Sequence, residues 1–239
     1  MTSMYEASGG APSNRRRMFL KWSGAAVAAA LAAGLDLSDL SLGEAMAQAP
    51  GGPSIGPNGS VDLGSGDTGI LNYAYALEQL EAAFYTQVVG TPYRGMRSNE
   101  RQVLSDIRDH EIAHRSFFKQ ALGRNAIPDL RVDFSAVNFS SRESVLGTAR
   151  TFEDLGVSAY NGGGAHIKNT SYLLLAGKIV SVEARHAAAI RDLISPYSTA
   201  FADDEVVDAE GLDRSNPPSK VLAAAAPFIR TRVTAHQLP

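Results

Sequence analysis

The chain has 239 residues, with 22 Lys and Arg against 25 Asp and Glu and a net charge of −3 at pH 7. This mild acidity gives no basic surface for nucleic acid or for an anionic membrane. The chain has no cysteine, which excludes disulfides and thiolate ligands. Any metal site must therefore be built from Glu, Asp and His, a ligand set that suits iron, manganese or zinc.

Residues 1–47 have the composition of an export signal. A pair of arginines, Arg16 and Arg17, is followed by x-Phe-Leu-Lys, which resembles the twin-arginine signature. An apolar stretch over 22–35 is too short for a secure membrane span, and Ala45-Met46-Ala47 is typical of a cleavage site. The order of these features predicts cleavage after Ala47 and passage through the twin-arginine machinery to the periplasm or the exterior. A retained anchor or a chance arginine cluster is the alternative.

The remaining chain divides into three parts by composition. Residues 48–67 are rich in Gly, Pro and Ser and are predicted to form a flexible linker. Residues 68–230 carry the helical signal, and residues 231–239 form a tail. Residues 1–47 contain four basic and four acidic residues, so the remaining chain keeps its net charge of −3. Its length is enough for one compact domain with a sizeable core.

Apolar residues at three-to-four spacing predict four long helices and one short one. The first begins at Asp67 or Thr68 and ends at Gly90, and the second extends from Ser98 to Gly123. Next comes an irregular segment over 124–140. The third helix follows Ser140 or Ser141 and reaches Gly162-Gly163-Gly164. The fourth extends from Asn169 or Thr170 to Ser195, and the short one covers 220–229.

This order of elements predicts an all-α fold, a four-helix bundle with a crossover between the second and third helices and a short C-terminal helix. The glycine triplet is unfavourable in a helix interior and leaves the length of the third helix beyond Tyr160 open.

Two Glu-x-x-His pairs, Glu111/His114 and Glu183/His186, lie on the apolar faces of the second and fourth predicted helices. A helix turns by about 100° and rises about 1.5 Å per residue, so side chains three apart project from one face and reach one metal ion. One such pair arises easily by chance on a helix surface. A buried unpaired carboxylate is costly, however, and two pairs on inward faces call for a compensating cation.

The first and third helices complete an internal repeat. Glu78 is followed by Tyr85 and Glu153 by Tyr160, seven residues on in each case. Seven residues are about two turns, which places each tyrosine on the face of its glutamate. The chain thus reads twice as Glu, Tyr and a long gap to Glu-x-x-His, which indicates a duplicated helical hairpin.

This pattern resembles the ferritin-like di-metal carboxylate proteins, in which two helices each give a Glu and two others each give Glu-x-x-His. The sequences over 77–85 and 181–188, with Gly211-Leu212-Asp213-Arg214 and the apolar run over 221–229, look like the exported, desiccation-related branch of that superfamily. The resemblance covers nearly all of the chain after residue 67.

The resemblance implies a site for two iron or manganese ions. It assigns Glu78 and His114 to one ion and Glu153 and His186 to the other, with Glu111 and Glu183 as bridges. Tyr85 and Tyr160 would hydrogen-bond the ligand carboxylates, although ordinary packing is an equal alternative for both.

Three neighbouring residues need separate interpretation. Glu81 also faces inward and is an alternative ligand to Glu78, but the repeat aligns it with Gly156. His110 faces inward too, and its counterpart is Val182, so a ligand role shared by both halves is not expected. His166 is predicted to face solvent.

The predicted function is binding of two metals with redox action on dioxygen or hydrogen peroxide, as a ferroxidase or a catalase-like enzyme in stress protection. The alternative is a non-catalytic stress or desiccation-related protein that keeps the bundle. A hydrolytic two-zinc site fits the ligand set less well. Homo-oligomers are compatible with this architecture, whereas a closed storage cage is disfavoured by the export signal and the long tails.

Overall fold

The computed structural model describes residues 51–239, and the predicted export signal lies outside this part of the chain. The described chain has five α-helices and three two-residue strands. In chain order they are β1 Ser54–Ile55, β2 Val61–Asp62, α1 Gly66–Gly90, α2 Ser98–Leu122, α3 Arg142–Gly164, α4 Thr170–Ile194, α5 Pro218–Ala225 and β3 Val233–Thr234.

The helix ends follow the local capping chemistry. Ser141 caps α3 by accepting a hydrogen bond from the backbone N–H of Ser144, and Asn169 caps α4 by accepting from Ser171 and Tyr172. At the start of α2, the Glu100 side chain accepts from the backbone N–H of Arg97. Polar side chains at these positions satisfy N–H groups that a helix leaves free. The four long helices predicted from the sequence are therefore confirmed.

The fold is an all-α bundle of two antiparallel hairpins, as the sequence predicts. Helix α1 packs mainly against α2, and α3 packs mainly against α4. Their facing sides form one core in which large side chains such as Phe84, Phe118, Phe152 and Leu80 are almost fully buried. Burial of this apolar surface is the main stabilising term for the bundle.

The crossover between α2 and α3 is held by two buried polar side chains of α1. Asn72 accepts from the backbone N–H of Ile127 and donates to the carbonyls of Leu63 and Asn125. Gln79 accepts from the backbone N–H of Leu130 at 2.7 Å. These bonds satisfy backbone groups that the irregular segment would otherwise leave unpaired.

Residues 51–67 are not the flexible linker that their composition predicts. Strand β1 pairs antiparallel with β2, and β2 pairs parallel with β3 in the predicted C-terminal tail. The side chains of Val61 and Leu63 are buried, with exposures of 2% and 0%. The composition misleads here because paired partners such as Val61 and Val233 are far apart in sequence. Both ends of the described chain are thus packed onto the bundle.

Helix α3 continues through the glycine triplet to Gly164. The triplet allows close approach of another segment, because a Cβ at Gly162 would lie 1.9 Å from the backbone oxygen of Asn216. The loop after α4 therefore lies directly against this turn of α3. None of the helices within residues 51–239 is both long and apolar enough to cross a membrane.

Candidate metal centre

Each of the four long helices directs at least one ionisable side chain into the centre of the bundle. Six residues of the internal repeat meet there: Glu78 from α1, Glu111 and His114 from α2, Glu153 from α3, and Glu183 and His186 from α4. The four glutamates have 0% exposure and His186 has 4%. The structure thus brings together every residue that the sequence assigns to the site.

The six residues form two overlapping groups, each compact enough for one ion. Glu78 and His114 complete the first group and Glu153 and His186 complete the second. Both groups contain Glu111 and Glu183, and within each group one ligand atom per residue lies within 4.8 Å of the others. Glu81 belongs to neither group.

The closest approaches connect imidazoles to carboxylates of other helices. His114 Nδ1 lies 3.0 Å from Glu183 Oε1 and 3.4 Å from Glu78 Oε2. His186 Nδ1 lies 2.8 Å from Glu111 Oε1 and 3.4 Å from Glu153 Oε2. The same ring nitrogen, Nδ1, faces the carboxylates in both histidines.

The polar atoms that face the centre lie close together, but they are not oriented for hydrogen bonds to one another. Eleven buried side-chain N or O atoms of the described residues form no hydrogen bond, and eight of them belong to the six residues of the cluster. Leaving such atoms unsatisfied costs free energy, and in native structures they mark a missing ion or water. Oxygen and imidazole donors converging in this way fit a bound metal cation.

The electrostatics of the cluster also call for a cation. Burial raises the pKa of Glu78 to about 7, against the opposing effect of His114. Burial and the neighbouring carboxylate of Glu111 raise the pKa of Glu183 well above its usual range. Burial acts on Glu111 too, but His114 and His186 outweigh it and lower the pKa of Glu111 to about 2. So many carboxylates carry their charges together only if positive charge lies between them.

Both tyrosines of the repeat donate hydrogen bonds to glutamates of the cluster. Tyr85 donates to Glu153 Oε1 at 2.5 Å, and Tyr160 donates to Glu78 Oε1. Each phenol thus reaches the glutamate of the opposite hairpin, not the one on its own helix. The bonds hold Oε1 of each carboxylate and leave Oε2 directed at an imidazole.

Glu81 is an additional buried acid beside the cluster. Its exposure is 3%, and burial together with Glu183 and Glu111 raises its pKa well above the usual range. A Cβ at Gly156 would lie 3.1 Å from Glu81 Oε1 and 3.3 Å from Glu183 Oε2. The missing side chain at 156 therefore makes room for Glu81. The two groups of the cluster contain Glu78 and not Glu81.

His110 makes a contact with the cluster that the sequence does not predict. Its Nδ1 lies 2.9 Å from His186 Nε2. The repeat shows only that His110 has no histidine counterpart in the second half and is not a shared ligand. A contact that one half makes alone leaves no pattern in the repeat. His166 is exposed, as predicted.

A four-helix bundle with a buried cluster of four glutamates and two histidines is the architecture of the ferritin-like proteins. The family model described as a ferritin-like domain matches residues 66–196, which include all six residues of the cluster. The chain therefore belongs to the ferritin-like family. No curated protein matches it.

Proposed function

We propose that the protein binds two iron or manganese ions in this cluster and acts on dioxygen or hydrogen peroxide. The observation that carries the proposal is the convergence of eight buried polar atoms from four helices, none of which forms a hydrogen bond. In the proposed arrangement Glu78 and His114 would hold one ion, Glu153 and His186 would hold the other, and both ions would share Glu111 and Glu183.

Charge balance supports two divalent ions. The four carboxylates of the cluster carry four negative charges when ionised, which two divalent cations neutralise. Neutralisation makes burial of the glutamates tolerable in the interior, where an unpaired charge is costly. Donors restricted to oxygen and imidazole nitrogen favour iron or manganese over metals that prefer thiolates.

Two bound ions of iron or manganese would supply the two electrons that peroxide-level chemistry needs. The chain contributes position and environment. Tyr85 and Tyr160 fix the orientation of one glutamate each, and the surrounding core excludes bulk water. Ferroxidase and catalase-like activities both fit this arrangement, in a role against oxidative or desiccation stress.

The proposal includes the location of the protein outside the cytoplasm. The arginine pair, apolar stretch and Ala-x-Ala sequence over residues 1–47 support export through the twin-arginine machinery to the periplasm or the exterior. That route carries folded proteins, so a metal loaded before export would travel with the chain.

The metal content of protein purified from its own compartment tests the proposal. We expect two equivalents of iron or manganese per chain. Glu111→Ala should abolish binding while the bundle stays folded, because Glu111 belongs to both groups. Glu210→Ala, which removes an exposed loop glutamate, is the matched control and should retain both ions. Protein without metal, or Glu111→Ala with full metal content, would overturn the assignment.

Assays of enzymatic turnover distinguish a redox enzyme from the alternative of a non-catalytic protein. The metal-loaded protein is expected to consume dioxygen in the presence of Fe²⁺, or hydrogen peroxide, and Glu111→Ala to lose this activity. Full metal content without either activity would instead favour a structural stress protein. In a structural stress protein the acidic loop over 203–205 would contribute interactions. That loop has limited conformational freedom, because Asp203 and Glu205 both form ion pairs with the buried Arg191.

A further inference from the structure

One histidine outside the cluster contacts it directly. His110 is exposed at the surface of α2, whereas His186 on α4 is buried. The two ring planes differ by only 9° and the ring centroids are 5.1 Å apart. With Nδ1 of one ring 2.9 Å from Nε2 of the other, this geometry describes two coplanar rings joined edge to edge by a hydrogen bond.

This hydrogen bond sets the orientation of the His186 ring. Its Nδ1 faces Glu111 and Glu153, and its Nε2 faces His110. A neutral imidazole that binds a metal through Nδ1 carries its proton on Nε2, and that N–H donates to His110 Nδ1. An acceptor behind a ligand histidine fixes the tautomer and the ring angle and strengthens the ligand.

The other half of the site lacks this support. Within residues 51–239, no protein group hydrogen-bonds to Nε2 of His114. The internal repeat aligns Glu111 with Glu183, so position 182 is the counterpart of 110, and it carries a valine. A valine side chain has no hydrogen-bonding atom. The two groups therefore share their carboxylates but differ in how their histidines are held.

We infer that His110 is a positioning residue that makes the two metal positions unequal, so that the Glu153/His186 position binds its ion more tightly and fills first. The inference rests on the proposed two-metal function and adds an order of filling. Loss of such a supporting partner typically lowers metal affinity by about 10- to 100-fold.

Titration of the metal-free protein with Mn²⁺, followed by calorimetry, tests this inference. The wild type is expected to show two steps. His110→Ala should weaken the tighter step by about 10- to 100-fold and bring the two steps together. His110→Gln retains an acceptor oxygen and should restore part of the difference. His166→Ala is the matched control. It removes an exposed histidine that is distant in sequence from His110, and both Mn²⁺-binding steps should stay unchanged.

A second measurement identifies which of the two metal positions fills first. Anomalous diffraction from crystals loaded with one equivalent of Mn²⁺ should place the ion at Glu153 and His186 in the wild type. An ion at Glu78 and His114, or unchanged binding constants in His110→Ala, would overturn the inference and leave the two-metal proposal intact. A wild type that binds neither Mn²⁺ nor Fe²⁺ would overturn both.

Discussion

Each phenol of the site acts across the bundle on a glutamate of the opposite hairpin. Tyr85 on α1 holds Glu153 on α3, and Tyr160 on α3 holds Glu78 on α1. Both tyrosines are buried, and burial raises their pKa values well above the usual range. The phenols thus stay protonated and remain hydrogen-bond donors to the carboxylates. The crossed bonds connect the geometry of each four-residue group to the other half of the repeat.

Tyr85→Phe and Tyr160→Phe form a matched pair that tests this crossing. Tyr85→Phe removes the donor to Glu153 and should weaken binding at the Glu153/His186 position by about 10-fold or more. Tyr160→Phe should do the same at the Glu78/His114 position. Occupancies from anomalous diffraction at limiting Mn²⁺ distinguish the two positions. If Tyr85→Phe affected the Glu78 position instead, each tyrosine would act on its own helix.

Among single residues, the six of the cluster could be predicted from the sequence because each Glu-x-x-His spacing lies within one helix and the internal repeat shows the pattern twice. Spacing places Tyr85 on the face of Glu78, but it does not determine which carboxylate the hydroxyl reaches. That choice depends on how the helices pack. The contact between His110 and His186 was missed for the same reason, since it joins two helices and has no counterpart in the repeat.

Helix α3 illustrates how an element is shaped by what packs against it. Gly162 lies under Asn216, which donates its backbone N–H to the carbonyl of Ser158 at 3.0 Å. Gly147, earlier in the same helix, has open space where a Cβ would be. The two glycines have the same intrinsic helix propensity, so their substitution separates packing from propensity.

We expect Gly162→Ala to lower the free energy of unfolding by about 1–3 kcal/mol, because its methyl group would collide with backbone that cannot rotate away. Gly147→Ala should raise that free energy by about 0.5–1 kcal/mol, since alanine is the better helix former. Urea denaturation of both variants provides the comparison. Equal effects would contradict the close approach of the loop to α3.

Three helix ends meet at the Glu100 carboxylate at the start of α2. Glu100 is bonded by Arg97 and by Arg142, and Arg142 also donates to the carbonyl of Leu193 near the end of α4. Burial would raise the pKa of Glu100, but these bonds outweigh it and lower the pKa from 4.5 to about 2. The carboxylate therefore stabilises the fold in its ionised form.

Glu100→Gln should lower the free energy of unfolding at pH 7 by about 1–3 kcal/mol. Because the folded-state pKa is depressed, this contribution is fully present above about 4.5 and is lost as the pH falls towards 2. The difference between wild type and variant should thus shrink below pH 4.5. Denaturation at several pH values measures it, with exposed Glu143→Gln as the control. A penalty independent of pH would contradict the ionic role.

The helix ends were predictable because caps such as Ser141 and Asn169 act within one turn of their own residue. The crossover contacts were not, since Asn72 and Gln79 on α1 bind a segment about 50 residues later. A buried amide gives no signal in the sequence of which backbone group it will satisfy.

In the molecule as a whole, backbone hydrogen bonds join the start of the described chain to its end. The backbone N–H groups of Val61 and Leu63 donate to Arg232 and Thr234, which joins the start of the domain to its end. Two-residue strands separated by more than 170 residues leave no periodic pattern in the sequence. This explains why composition predicted a flexible linker for a segment that is part of the fold.

A chain that begins at residue 68 is expected to be less stable than one that begins at residue 48. Val61 and Leu63 would lose burial worth about 1.5–3 kcal/mol each. Thermal and urea denaturation of the two metal-free chains measures the difference. Equal stability would show that residues 48–67 contribute nothing to the fold.

Anomalous diffraction at the iron and manganese edges, from crystals of the metal-loaded protein, tests the binding of two ions most directly. We expect two peaks in the bundle, one among Glu78, Glu111, Glu183 and His114 and the other among Glu111, Glu153, Glu183 and His186. A single ion, ions bound elsewhere, or an empty cluster at saturating metal would contradict a two-metal site in the bundle.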